Sequence, residues 1–199
     1  TTATGLTITG NNWEVTLPTT ADGTYAVTAV VTDAAGNKST DTSTNELIVD
    51  TVAPAIPTVV SQVTANTTPT VTGTAVLGAG ETLAVTINGT TYTTANGLSI
   101  TGSNWSVTLP TTAQGTYPVT ARVTDAAGNT ATDVTTNELI IDTVAPAIPT
   151  VVSQVTANTT PTVTGTAVLG AGETLAVTIN GVTYTTANGL SISGSNWSV

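Results

Sequence analysis

The 199-residue chain contains no cysteine, methionine, histidine or phenylalanine. Without cysteine it has no disulfides and no thiolate metal sites. Without histidine and cysteine, neither a Ser-His-Asp triad nor a Cys-His dyad can be assembled, so no enzyme activity is expected. Basic side chains are almost missing too. Lys38 and Arg122 stand against twelve acids, for a net charge of −10. That balance excludes nucleic acid, whose phosphates need Lys and Arg, and it disfavours anionic membrane surfaces. The scarcity of lysine also rules out Lys–Asn isopeptide crosslinks as a recurring feature. No apolar run approaches the length of a membrane-spanning helix, so no membrane insertion is expected. Helical periodicity is absent, and so is a signal-peptide pattern.

What the chain has in abundance is itself. Asp50-Thr51-Val52-Ala53-Pro54 returns as Asp142-Thr143-Val144-Ala145-Pro146, a period of 92 residues. Residues 50–107 and 142–199 differ only at Thr90/Val182 and Thr101/Ser193. Residues 1–50 match 93–142 at 38 of 50 positions. A fixed period of this size marks an array of structural units. Ninety-two residues suffice for one small domain with its own core. The expected division is a C-terminal part of a repeat at 1–49, a complete repeat at 50–141 and an N-terminal part at 142–199.

Each repeat reads as strands. Thr and Val dominate, and both suit a pleated, half-buried surface. Turn signals at intervals of about 8–12 residues point to an antiparallel sandwich of about seven strands. In the middle repeat the expected strands are 57–63, 69–76, 82–88, 90–94, 98–101, 105–109, 116–124 and 138–141. Asn88-Gly89 is a hairpin signal. Trp105 and Tyr117 share the period-2 phase of aliphatic neighbours, which reads as core rather than as a sugar-stacking platform.

Several strings together resemble a known domain type. They are Thr68-Pro69-Thr70-Val71-Thr72-Gly73-Thr74-Ala75, Gly102-Ser103-Asn104-Trp105-Ser106-Val107-Thr108-Leu109-Pro110, Gly115-Thr116-Tyr117 and Val123-Thr124-Asp125-Ala126-Ala127-Gly128-Asn129, with the Asp142–Pro146 linker. The chain resembles the bacterial immunoglobulin-like tandem repeats of biofilm-associated proteins and giant type I-secreted adhesins. The resemblance implies all-β immunoglobulin-like sandwiches joined end to end in an extracellular, cell-surface stalk. Such a stalk supports cell adhesion and biofilm formation.

The acids recur with the period, which favours divalent cations over simple self-repulsion as their purpose. In a seven-stranded sandwich the N-terminus shares one end with the second–third and sixth–seventh loops. In the middle repeat these elements carry Asp50, Glu81 and Asp125, with the Asn129 amide oxygen as a further candidate ligand. Their counterparts are Asp142 with Glu173, and Asp33. The expectation is a structural Ca²⁺ at the repeat junction, and the resemblance implies the same, since related repeats hold Ca²⁺ between domains. The competing reading of Asp125–Asn129 is an Asx-type turn with Gly128 at positive φ. Asp133/Asp41 and Glu138/Glu46 also recur; an exposed face is the preferred reading and a second metal site the alternative. Gly78-Ala79-Gly80-Glu81 lacks the Lys and helix of a phosphate loop and reads as a turn. Paired carboxylates suit a glycosidase, but a pair copied in every repeat reads as structural.

The expected function is a stalk extender whose partners are neighbouring repeats of its own chain and, in a matrix or filament, other copies. Two alternatives differ in kind. One is a filament subunit in which incomplete repeats complement each other between chains. The other is a module binding a glycan or protein receptor.

Overall fold

A computed structural model describes residues 5–199, all strands, turns and loops. The chain forms two compact units, 1–142 and 143–199.

Six short strands come first: β1 (Leu6–Thr9), β2 (Asn12–Val15), β3 (Gly23–Tyr25), β4 (Val30–Thr32), β5 (Lys38–Thr40) and β6 (Leu47–Val49). They pair antiparallel as β1–β2, β3–β6 and β4–β5. Eleven strands follow: β7 (Thr58–Val59), β8 (Gln62–Thr64), β9 (Thr70–Thr74), β10 (Thr82–Ile87), β11 (Thr90–Tyr92), β12 (Leu98–Thr101), β13 (Asn104–Thr108), β14 (Gly115–Tyr117), β15 (Val119–Thr124), β16 (Thr130–Thr132) and β17 (Leu139–Ile141). One sheet has the order β12-β13-β9-β7, a second β11-β10-β15-β16, and a third β14-β17-β8. This is the layered, mostly antiparallel arrangement of an immunoglobulin-like sandwich.

The alternation along the strands builds its core. Val71 and Ala75 face Leu83, Val85 and Ile87, and the cluster continues through Trp105, Val107, Val119, Ala121, Val123, Leu139 and Ile141. Each lies in phase with the others on its strand, while Arg122 between Ala121 and Val123 is exposed. Burial of the Val, Leu and Ile side chains among them contributes about 1.5–3 kcal/mol each before conformational entropy is subtracted. Trp105 is core, 2 % exposed, and its indole Nε1 donates to the Thr58 carbonyl at 3.1 Å. The Asn88-Gly89 hairpin forms as expected. Both residues have positive φ (48° and 81°), the geometry of a type I′ turn.

Three elements differ from the sequence reading. The expected first strand divides: β7 pairs with β9, and after Val60-Ser61 the chain crosses over so that β8 pairs parallel with β17. The expected 116–124 strand divides at Pro118, which has no N–H to donate; β14 pairs with β17 and β15 with β10 and β16. A strand at 130–132 was not expected, because Thr-Ala-Thr carries one apolar residue and shows no alternation long enough to read. At the end of β14, Tyr117 folds back so that its hydroxyl donates to the Ala113 carbonyl at 2.8 Å, and Tyr25 repeats this on Ala21 at 2.8 Å. That is the corner tyrosine of immunoglobulin-like sandwiches.

The segment 5–49 corresponds to 97–141 and carries no counterparts of β9 and β10. Its in-phase apolar residues are accordingly open, and Trp13, the equivalent of Trp105, is 52 % exposed.

The unit 143–199 holds β18 (Thr150–Val151), β19 (Thr164–Thr166), β20 (Val177–Ile179), β21 (Val182–Tyr184), β22 (Ser191–Ser193) and β23 (Asn196–Ser198). Its sheet order β18-β19-β23-β22 reproduces β7-β9-β13-β12, and β20–β21 reproduces the hairpin. Trp197 is buried, with Nε1 again donating to a threonine carbonyl, that of Thr150, at 3.1 Å.

Candidate functional site

With no His or Cys in the chain, the recurring acids are the main candidates for chemistry, and each has defined partners. Asp125 starts a closed turn. Its Oδ1 accepts the Asn129 N–H at 2.8 Å, and its Oδ2 accepts the Asn129 side-chain amide at 2.9 Å. Gly128 sits at φ 94°, and the Asp125 carbonyl accepts the Gly128 N–H at 3.3 Å. The Asx-turn reading of this segment therefore holds. Asp33 builds the same turn, accepting from Ala35 N–H at 2.9 Å and from Asn37 N–H and side-chain amide at 2.8 Å each.

The turn also fastens the linker. The second proton of the Asn129 amide nitrogen goes to the Asp50 carbonyl at 2.9 Å. Asn129 thus presents nitrogen, not oxygen, toward Asp125 and Asp50. Glu81 folds back on its own turn, Oε2 accepting the Gly78 N–H at 2.8 Å, while the Glu81 N–H donates to the Gly78 carbonyl at 3.2 Å. A Cβ placed on Gly80 would lie 3.6 Å from the Ala126 Cβ, so the Glu81 turn abuts the Asp125 turn. The three sequence-distant loops do meet at one end. Their carboxylates, however, are already engaged, and among the described residues no group of three or more acids is arranged to hold a metal. Glu173 repeats the Glu81 turn on Gly170 at 2.8 Å. The Asp142 N–H donates to the Thr64 carbonyl at 2.9 Å, extending the β8–β17 ladder.

Hydrogen bonding sets the electrostatics of this end. The Asn129 side-chain amide is the largest cause holding the Asp125 carboxyl below its ordinary 3.8; partial desolvation opposes it, and the backbone N–H groups of Asn129, Gly128 and Ala127 add to it. Asp33 is lowered in the same way, first by the Asn37 side chain. A carboxylate depressed in the folded state stabilises above its unfolded pKa, and that contribution is lost as pH falls through the folded pKa. The expected result is a Tm that falls as pH drops below about 4. The fall should be shallower in Asp125→Asn. Parallel Tm–pH curves for the two chains would remove Asp125 from the acid-labile set.

Two acids corrected the sequence reading. Glu138 is not on an exposed face: it is 2 % exposed, and Asp133 is half-buried. Strand β16 ends at Thr132, and the next strand, β17, pairs with β14 and β8 instead of β15. Side chains take over the edge donors there. The Ala121 N–H goes to Asp133 Oδ1 at 2.6 Å and the Val119 N–H to Glu138 Oε2 at 3.2 Å. The only sequence signal was recurrence of the two acids; the missing strand partner could not be read.

The family model described as Bacterial Ig-like domain matches residues 1–51 and again 58–143. The chain belongs to that family, as a tandem array of its repeats. No curated protein matches the chain. Among solved structures, six chains match. One belongs to a structure described as giving insight into host cell surface retention of a 1.5-MDa bacterial ice-binding adhesin. It is 32 % identical over 86 % of this chain and 60 % of its own, at a TM-score of 0.36. This chain therefore spans about 60 % of the length of that relative. No helix among the described residues is long and apolar enough to cross a membrane.

Proposed function

We propose that this chain is part of the stalk of a bacterial cell-surface adhesin, extending it from the cell and supporting adhesion and biofilm formation. Each repeat acts as a passive spacer. The observation that carries the reading is the near-identity of copies whose recurring polar residues at the linker end serve the fold: Asp125 and Glu81 close turns, and Asn129 ties its turn to the linker carbonyl of Asp50. Family membership supports the same reading. In this reading the domains are 1–49, 50–141 and 142–199, and the partners are neighbouring repeats. Atomic-force imaging or small-angle scattering of longer arrays tests it: contour length should grow by a constant increment per repeat. Glycan-array binding by the chain would instead support a receptor module.

Calcium at the repeat junction is the second part of the proposal. What supports it is the meeting of the Asp50, Glu81 and Asp125 loops in a chain of net charge −10. The loops do not form a ready cage, because the Asn129 amide nitrogen and backbone N–H groups occupy the acids. Binding there requires the turn to reopen, so a dissociation constant on the order of 0.1–1 mM is expected, the range of extracellular modules. Calorimetry should give that value for the chain and no binding at this end in Asp125→Asn. A response unchanged by that substitution removes the junction site.

A further inference from the structure

Glu138 Oε1 is buried and has no hydrogen-bond partner, although the other oxygen of the same carboxylate takes the Val119 N–H. A carboxylate oxygen removed from water without a donor is costly unless a positive charge faces it. The surroundings identify that charge.

Val119 and Ala121 point their N–H groups to the same edge of β15, one onto Glu138 and the other onto Asp133. The N–H and C=O of one strand residue face the same way. The Val119 carbonyl therefore also faces this edge, between the two acids. Thr135 closes the loop, its hydroxyl donating to Asp133 Oδ2 at 3.2 Å. Asn137, at φ 61°, turns the chain sharply before Glu138. Oxygens of Val119, Asp133 and Thr135 thus gather on this edge beside Glu138.

The preceding copy, where Asp41 and Glu46 are exposed, repeats part of the arrangement. Glu46 Oε2 accepts the Val27 N–H at 3.0 Å, Asp41 receives the Ser43 hydroxyl at 2.6 Å, and Asn45 sits at φ 64°. Glu46 is held below its ordinary value, first by the Val27 N–H, while the negative charge of Asp41 pushes the other way. The two carboxylates are therefore close enough to repel each other.

We propose that Asp133, Thr135, Glu138 and the Val119 carbonyl form a binding site for a hard divalent cation, of the Ca²⁺ type, on the edge of β15 left open between β16 and β17. Four protein oxygens, with water on the half-exposed Asp133 side, meet the requirement of such an ion for six to eight oxygen ligands. The ion neutralises Glu138 Oε1, screens the repulsion and clamps the 133–138 loop to the strand it bypasses. This site lies within one repeat and does not depend on the junction reading.

The test uses the intact chain, isotopically labelled, titrated with MnCl₂ as a paramagnetic probe and with CaCl₂ as its diamagnetic competitor. The amide resonances of Val119 and Ala121 should broaden and recover on adding Ca²⁺. Glu138→Gln should lower Ca²⁺ affinity at this position about tenfold or more, because a charged ligand is lost while the acceptor for Val119 is kept. Asp133→Asn provides a second variant should the buried position fail to fold. Asp125→Asn should leave the Val119 and Ala121 response intact, which separates this site from the junction. Broadening confined to the Asp125 turn, or a Ca²⁺ response unchanged in both Glu138→Gln and Asp133→Asn, overturns the proposal. So does a Glu138 carboxyl ¹³C shift that reports a neutral acid at pH 7 with no cation effect.

Discussion

Trp105→Ala is expected to cost the middle repeat about 3–5 kcal/mol, enough to unfold many domains of this size. Trp105 is 2 % exposed and is the one tryptophan of its repeat. Its ring lies against Gly73 of β9 within the buried core cluster, so truncation to alanine leaves a cavity there. A second loss adds to the cavity: the Thr58 carbonyl loses the indole N–H at 3.1 Å, a bond worth about 1 kcal/mol. Urea unfolding followed by circular dichroism measures the effect. A shift below about 1 kcal/mol would mean that the indole contributes little packing, contrary to its burial.

Gly73→Ala should be nearly as damaging, about 3 kcal/mol, through crowding rather than a cavity. A Cβ on Gly73 would land on the Thr58 carbonyl of the neighbouring strand and lie 2.5 Å from Cζ2 and 2.6 Å from Cε2 of the Trp105 ring. The obstacles are backbone and a locked aromatic, neither of which yields like a flexible side-chain tip. Glycine is required here for close approach, not for an unusual φ. The two substitutions should be markedly non-additive, since removing the ring frees one side of the new methyl group. Gly165 stands in the same relation to Thr150 and Trp197. A Gly165→Ala chain should lower the stability of its own unit, read by the same unfolding curve.

Much of this was legible in the sequence because alternation is a local signal. Val71, Gly73 and Ala75, or Leu83, Val85 and Ile87, declare their inward phase within six residues. Asn88-Gly89 announces its turn because few other pairs tolerate two successive positive φ values. Legibility ended where a residue's role depends on what lies across the fold. The Asp125 and Glu138 side chains are both acids that recur with the period. One closes a surface turn and the other replaces a strand on a buried edge. The difference lies in which backbone N–H groups lack a partner, and that is decided by where β16 stops. The same reasoning explains the junction. Topology brought the three loops to one end, as read from strand order, but the N–H groups that occupy their carboxylates belong to turns whose geometry the sequence only partly discloses. Pro118 was visible, yet its effect, a change of pairing partner in mid-strand, needed the neighbouring strands to be known.

The parallel pairing of β8 with β17 has a mechanical meaning. Gln62–Thr64 lies beside Leu139–Ile141 in register, near the points where the chain enters and leaves the middle repeat. A pull applied across the repeat draws these two strands in opposite directions along their own axes. The rungs between them are then loaded together in shear instead of opening one after another like a zipper. A tether subject to flow or drag is strongest when its first and last strands are joined in this way, and here the Asp142 N–H bond to the Thr64 carbonyl carries the clamp to the very start of the next linker.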